Sequence, residues 1–105
     1  MSVVAFKMKL KSGVVEEYQR RHRTIWPDLV KHLKEMGLSE YRIFLDPDDQ
    51  QTLFAIQTRA GNYDDTQLRN HPIMKQWWDY MADLMYVEDD NSPVASSLTE
   101  VFYMP

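Results

Sequence analysis

Three extended segments of this chain are apolar on both faces, and that pattern narrows the available folds more than any other feature. Ile43 and Leu45 alternate with Phe44, Leu53 and Ala55 with Phe54 and Ile56, and Val101 and Tyr103 with Phe102 and Met104. Successive side chains of a strand point to opposite faces, so a sheet of such strands has two apolar faces. Helices of the same chain can cover one of them. The other needs a second cover, since it would otherwise be a large apolar patch in water. A second copy of the sheet is the simplest cover, and the pattern predicts a homodimer with sheets face to face. A ligand cavity along the free face is compatible with it.

The other hydrophobic periods set the order of elements. Val3 to Leu10 reads as a strand, with Val4, Phe6, Met8 and Leu10 alternating with Ala5, Lys7 and Lys9, and Ser12-Gly13 ends it. Val14, Tyr18 and His22 then recur at steps of four, a helical spacing that Pro27 interrupts. A second helical piece starts at Pro27, carries Leu29, Val30, Leu33 and Met36, and stops at Gly37. Tyr41 to Leu45 and Thr52 to Thr58 form a hairpin around the turn Asp46-Pro47-Asp48-Asp49. After Gly61-Asn62 comes a weakly helical stretch, then a stronger helix from Pro72 with Ile73, Met74, Trp77, Trp78, Met81, Leu84 and Met85 at the 3.6 period. Glu88 to Pro93 is a polar loop, and Leu98 to Met104 reads as the last strand. The order β-α-β-β-α-β predicts an α+β fold of the ferredoxin-like type, an antiparallel sheet with its helices on one face. With 105 residues there is room for one core, so residues 1–105 are expected to form one domain.

Charge and composition exclude several function classes. A net charge of -4 gathers no phosphates, so no nucleic-acid partner is expected. Arg20, Arg21 and Arg23 form a local basic cluster, but Glu16 and Glu17 stand four residues before Arg20 and Arg21, the spacing of pairs on a solvated helix. The chain has no cysteine, which excludes disulfides, thiolate nucleophiles and Cys-ligated metal, and fits a cytoplasmic protein. No stretch approaches the ~20 apolar residues of a membrane span, so no membrane partner is expected.

The candidate residues for chemistry are few. His22 is one of three histidines, and imidazole exchanges protons readily near neutral pH. Tyr18, one turn earlier, lies on the same helical face within ~6 Å at Cβ. Together they can position a hydroxylic ligand and move its proton, although composition alone favours an ordinary surface histidine. His32, and His71 beside Pro72, need no more than structural roles, and the three histidines lack a metal-ligand spacing. Trp77 and Trp78 point about 100° apart on their helix, so at most one faces the core centre and the other is left for a boundary or cleft. A tryptophan there suits the C–H face and hydroxyl edge of a sugar, although taken alone the pair is more often a core helix with one tryptophan at its rim. Tyr41 starts its strand and can point toward the same helix ends. No carboxylate pair with an evident shared pocket, P-loop, dinucleotide fingerprint or GxSxG is present. A small enzyme without a cofactor motif is restricted to chemistry such as isomerisation, epimerisation, elimination or cofactor-free oxygenation.

Three stretches carry a resemblance: EEYQRRHRTIWPDL from Glu16 to Leu29, QWWDYMADLM around Trp77-Trp78, and the tail DNSPVASSLTEVFYMP. They resemble the L-rhamnose mutarotase family, in register over nearly the whole chain. The resemblance implies a dimeric α/β-barrel of ferredoxin-like protomers that interconverts the α and β anomers of L-rhamnose without a cofactor. It implies that His22 matches the family's proton donor, that Tyr18 and Tyr41 match substrate-contacting tyrosines, and that Trp77 and Trp78 match the substrate-contacting tryptophan pair. A protonated His22 near the ring oxygen would then be the acid on opening and the base on reclosure. Residues 62–75 resemble the family less closely and carry no role over. Arg23, directly after the histidine, departs from the pattern, and a positive charge there would favour neutral imidazole. The same barrel also serves cofactor-free and haem-binding monooxygenases, and a sugar-binding module without catalysis is the third reading. The motifs favour the mutarotase.

Overall fold

The computed structural model describes residues 1–105. Its elements run β1 (Ser2–Lys9), α1 (Val15–Arg23), α2 (Pro27–Glu35), β2 (Leu38–Leu45), β3 (Thr52–Arg59), α3 (Asp65–Asn70), α4 (Pro72–Met81), a 3-10 turn (Ala82–Leu84) and β4 (Ser96–Ser97). The sheet is antiparallel with strand order β2-β3-β1-β4, the ferredoxin-like arrangement expected from the order of periods.

Local chemistry explains the breaks. α1 ends at Arg23, and Trp26, held extended by the proline that follows it (φ -64°, ψ 126°), precedes α2, which Pro27 opens where its missing N–H costs nothing. Gly37 stops α2 at φ +97°, a left-handed turn open to glycine, and a Cβ there would lie 3.1 Å from that of Ala60. The Asp64 carboxylate caps α3 by accepting from the N–H groups of Thr66 and Gln67, and the His71 ring caps α4 by accepting from that of Ile73.

One face of the sheet carries the core. Met8 of β1, Leu53 and Ala55 of β3 and Leu38 of β2 meet Leu29, Met74 and Met81 from the helices. On the other face Phe44 stands opposite Phe54 and Arg42 opposite Ile56, and Phe44 keeps 51% of its surface exposed. Both faces are apolar, and the chain covers one.

The last strand differs from expectation. Only Ser96 and Ser97 pair with β1, opposite Lys7 and Phe6, and after the Leu98 N–H donates to the Ala5 carbonyl the chain forms no further element. Val101, Phe102, Tyr103 and Met104 are 92%, 78%, 73% and 76% exposed. A strand apolar on both faces needs cover on both, and this chain has none left to offer at the β1 edge.

Candidate active site

Three elements converge on one cavity of about 600 Å³ between the sheet and the helices, a size usual for small-molecule sites. From α1 come Tyr18 and His22, one turn apart, with ring centres 4.3 Å from each other. From α4 come Trp77 and Trp78, and from β2 comes Tyr41. All five residues singled out in the sequence therefore line the same cavity.

The tyrosine reaches it through a β-bulge. Between Ser39 and Arg42 the pairing of β2 with β3 slips by a residue, and Glu40 at the slip takes φ +48°. Tyr41 then shares the helix side of the sheet with Ile43 and Leu45. Both tryptophans are buried, Trp77 at 7% and Trp78 at 8% exposure, so neither is left at a boundary. The reason is that α4 is flanked on two sides. Trp77 meets the His22 ring edge-on at 5.5 Å and the Trp26 ring at 5.1 Å, whereas Trp78 lies under the Arg69 guanidinium at 5.0 Å. Trp26, unremarked among the sequence candidates, thus holds the wall on which His22 rests.

Hydrogen bonding settles the His22 tautomer. Its Nδ1 lies 3.0 Å from the Tyr18 carbonyl, which can only accept, so Nδ1 carries the proton and in the neutral ring Nε2 carries the lone pair. Burial pushes the His22 pKa below its ordinary 6.5, partly offset by that hydrogen bond. The neutral form is thus favoured by desolvation, and Arg23, exposed and away from the cavity lining, has no part in it. Burial raises the Tyr18 phenol, with the nearby Tyr41 adding to the effect. Burial around its hydroxyl likewise pushes Tyr41 up to about 12, opposed by the charge of Arg59, although part of the ring reaches solvent. Both phenols stay protonated at neutral pH.

The basic cluster on α1 anchors this helix. Arg21 donates to Glu17, to the Tyr80 carbonyl at 2.7 Å and to Asp83 at 2.8 Å, which ties α1 to the end of α4 and to the 3-10 turn. Arg20 pairs with Glu17 as well, so the pairing expected of Glu16 falls to Glu17 instead. Hydrogen bonds from Arg20 and then Arg21 draw the Glu17 carboxyl from 4.5 to about 2, and Arg21 lowers Asp83. A folded-state pKa below the unfolded one gives stability that is present above the unfolded value and lost as pH falls through the folded one. The urea midpoint is therefore expected to drop on acidification from about pH 5 to about pH 2. Arg21→Met should flatten that drop in the same titration.

The other histidines are structural. The buried His32 bonds the Leu68 carbonyl through Nε2 at 3.1 Å and stacks on His71, the cap of α4, with ring centres 4.2 Å apart.

A model of the L-rhamnose mutarotase family matches residues 3–104. This chain belongs to that family. An L-rhamnose mutarotase from Brucella anthropi is 50% identical over 101 residues, 96% of this chain and 94% of the relative. One from Formosa agariphila is 50% identical over 104 residues, 99% of each chain. The crystal structure of an L-rhamnose mutarotase from Formosa agariphila superposes with a TM-score of 0.90 at 48% identity, covering 100% of both chains. A putative antibiotic biosynthesis monooxygenase from Nitrosomonas europaea has a TM-score of 0.59 at 14% identity, covering 95% of this chain and 89% of its own. That likeness is one of fold alone. It accounts for the monooxygenase reading, while family membership favours the mutarotase over both alternatives.

Proposed function

We propose that this protein interconverts the α and β anomers of L-rhamnose, with His22 moving the proton. The observation that carries the reading is a neutral-favouring imidazole at the cavity, its Nδ1 held by the Tyr18 carbonyl and its Nε2 free for a ligand. Mutarotation removes a proton from the anomeric hydroxyl and adds one to the ring oxygen. The ring opens to the aldehyde, the C1–C2 bond turns, and the ring closes on the other carbonyl face.

The resting form differs from the protonated acid expected of the sequence. Neutral Nε2 takes the proton of the anomeric hydroxyl as the bond from C1 to the ring oxygen breaks, and the resulting imidazolium gives a proton to the freed ring oxygen. On reclosure Nε2 takes that hydroxyl's proton back and returns one to the new anomeric oxygen. Tyr18 and Tyr41, both protonated, donate hydrogen bonds to sugar oxygens, and Trp77 and Trp78 face the methyl group and C–H surface of the 6-deoxy ring. Exchange spectroscopy between the two anomeric proton signals of L-rhamnose tests the activity, which fails if the protein adds nothing to the spontaneous rate. Calorimetry showing binding without faster exchange would favour the sugar-binding module.

The working form is a homodimer, in keeping with the apolar free face of Phe44 and Ile56 and with the exposed tail from Val101 to Met104. A chain with no cysteine and no helix long and apolar enough to cross a membrane is suited to work in the cytoplasm.

A further inference from the structure

The sheet side of the cavity carries a polar pair that the proton transfers leave unused. Gln57 follows Leu53 and Ala55 in the row that β3 turns toward the helices, and it is 3% exposed. Across the sheet it faces Val4 on one side, and on the other the bulge that delivers Tyr41. A buried amide beside Leu53 and Ala55 is costly to keep unless both its oxygen and its NH2 find partners.

Its orientation follows from its partner. The Gln57 Oε1 accepts from Arg59 Nε at 2.8 Å. A guanidinium only donates, so the oxygen must be the end facing Arg59, and the NH2 must face away. Every fully buried side-chain nitrogen and oxygen in the protein has a partner, and this NH2 donates to no protein acceptor, so its open side is the cavity that Gln57 lines. Arg59 is itself fixed. Its guanidinium lies 4.4 Å over the Tyr63 ring, and the Tyr63 hydroxyl donates to Asp65 at 2.7 Å.

We propose that Gln57 is a substrate-contacting residue whose NH2 donates to a hydroxyl oxygen of the bound sugar, and that Arg59 is the positioning residue that aims it. The inference rests on the reading of the cavity as a sugar site. A neutral, fixed donor in a cavity lined mostly by apolar side chains suits an uncharged hydroxyl. It also selects, because a sugar lacking that hydroxyl leaves the buried NH2 unpaired.

The contact exists in both the bound sugar and the transition state, so its loss should weaken binding more than turnover. In anomer-exchange assays Gln57→Leu is expected to raise KM for L-rhamnose by about tenfold or more with a smaller change in kcat. Gln57→Glu keeps the shape and the bond to Arg59 but lacks the NH2, and it should show the same loss. Arg59→Met should raise KM, and Arg59→Lys, which still offers a donor to Oε1, should recover part of it. The monodeoxy analogues of L-rhamnose supply a readout that a packing defect would not move. With the native protein one of them should exchange with a KM raised about tenfold, and with Gln57→Leu that penalty should vanish. If Gln57→Leu and Gln57→Glu keep the native KM, or if Gln57→Leu penalises each deoxy sugar as the native protein does, the proposal is wrong. A native protein that does not accelerate L-rhamnose exchange at all would instead overturn the sugar-site reading, and the proposal with it.

Discussion

His22→Ala is expected to slow the protein-catalysed exchange of α- and β-L-rhamnose by about 10²–10⁴-fold, the range of general acid–base catalysis by one side chain. The ring is not a pillar of the core. It lines the cavity and is half-buried, while Tyr18 and Trp77 on either side are packed by their own neighbours, so the variant should keep the native circular dichroism spectrum. The pH profile gives a second, independent check. Burial holds the imidazole below 6.5, so the base form persists into mildly acidic solution. Catalysed exchange should therefore hold steady from neutral pH downward and fall only as pH drops through that depressed pKa. In His22→Ala the fall should disappear along with the rate. Exchange spectroscopy on both proteins across pH measures the two effects together. A variant as fast as the native protein would remove His22 from the mechanism, and a rate that rises on acidification would restore the protonated imidazole as the resting catalyst.

The parts of this fold that depend on local chemistry were legible in the sequence. Pro27 and Gly37 mark the ends of α2 because each acts through its own backbone, and the hairpin turn at Asp46 to Asp49 follows from turn chemistry. The parts that depend on pairing were less so. β2 begins at Leu38, three residues before the alternation that starts at Tyr41, because a bulge at polar Ser39 and Glu40 breaks the period without ending the strand. Of the site, Tyr18 and His22 follow from one helical turn. The burial of both Trp77 and Trp78 does not, since a helix period describes one covered face and α4 has neighbours on two sides. Gln57 had a visible signal: a polar residue closing the apolar row Leu53, Ala55 on one face of β3. Its meaning depended on Arg59, which becomes apparent only once the two side chains are seen to bond.

The tail presents the same limit in its sharpest form and gives the second large prediction. Alternation from Leu98 to Met104 marks residues fit for a sheet but does not say whose sheet. Within one chain Val101, Phe102, Tyr103 and Met104 stay exposed over 92%, 78%, 73% and 76% of their surface. Fully burying side chains of this kind is worth about 1.5–3 kcal/mol each. In a twofold dimer every contact occurs twice, and each 1.4 kcal/mol changes a dissociation constant about tenfold. With half of that burial realised, the four side chains of the two copies contribute about 6 kcal/mol or more, so a chain ending at Glu100 should dimerise at least about ten-thousandfold more weakly. Sedimentation equilibrium at micromolar concentration is expected to give a dimer for the full chain and a monomer for the shortened one. Phe102→Asp with Tyr103→Asp should act in the same direction without changing the chain length, because a buried carboxylate without a partner is costly. A shortened chain that remains dimeric would assign the interface to the free face of Phe44 and Ile56 alone, and a monomeric full chain would remove the dimer itself. The outcome matters for the site because β4, from which the tail departs, places Ser97 on the cavity wall. A tail docked on a second copy would therefore fix one wall of each pocket, and the monomer should bind L-rhamnose more weakly than the dimer.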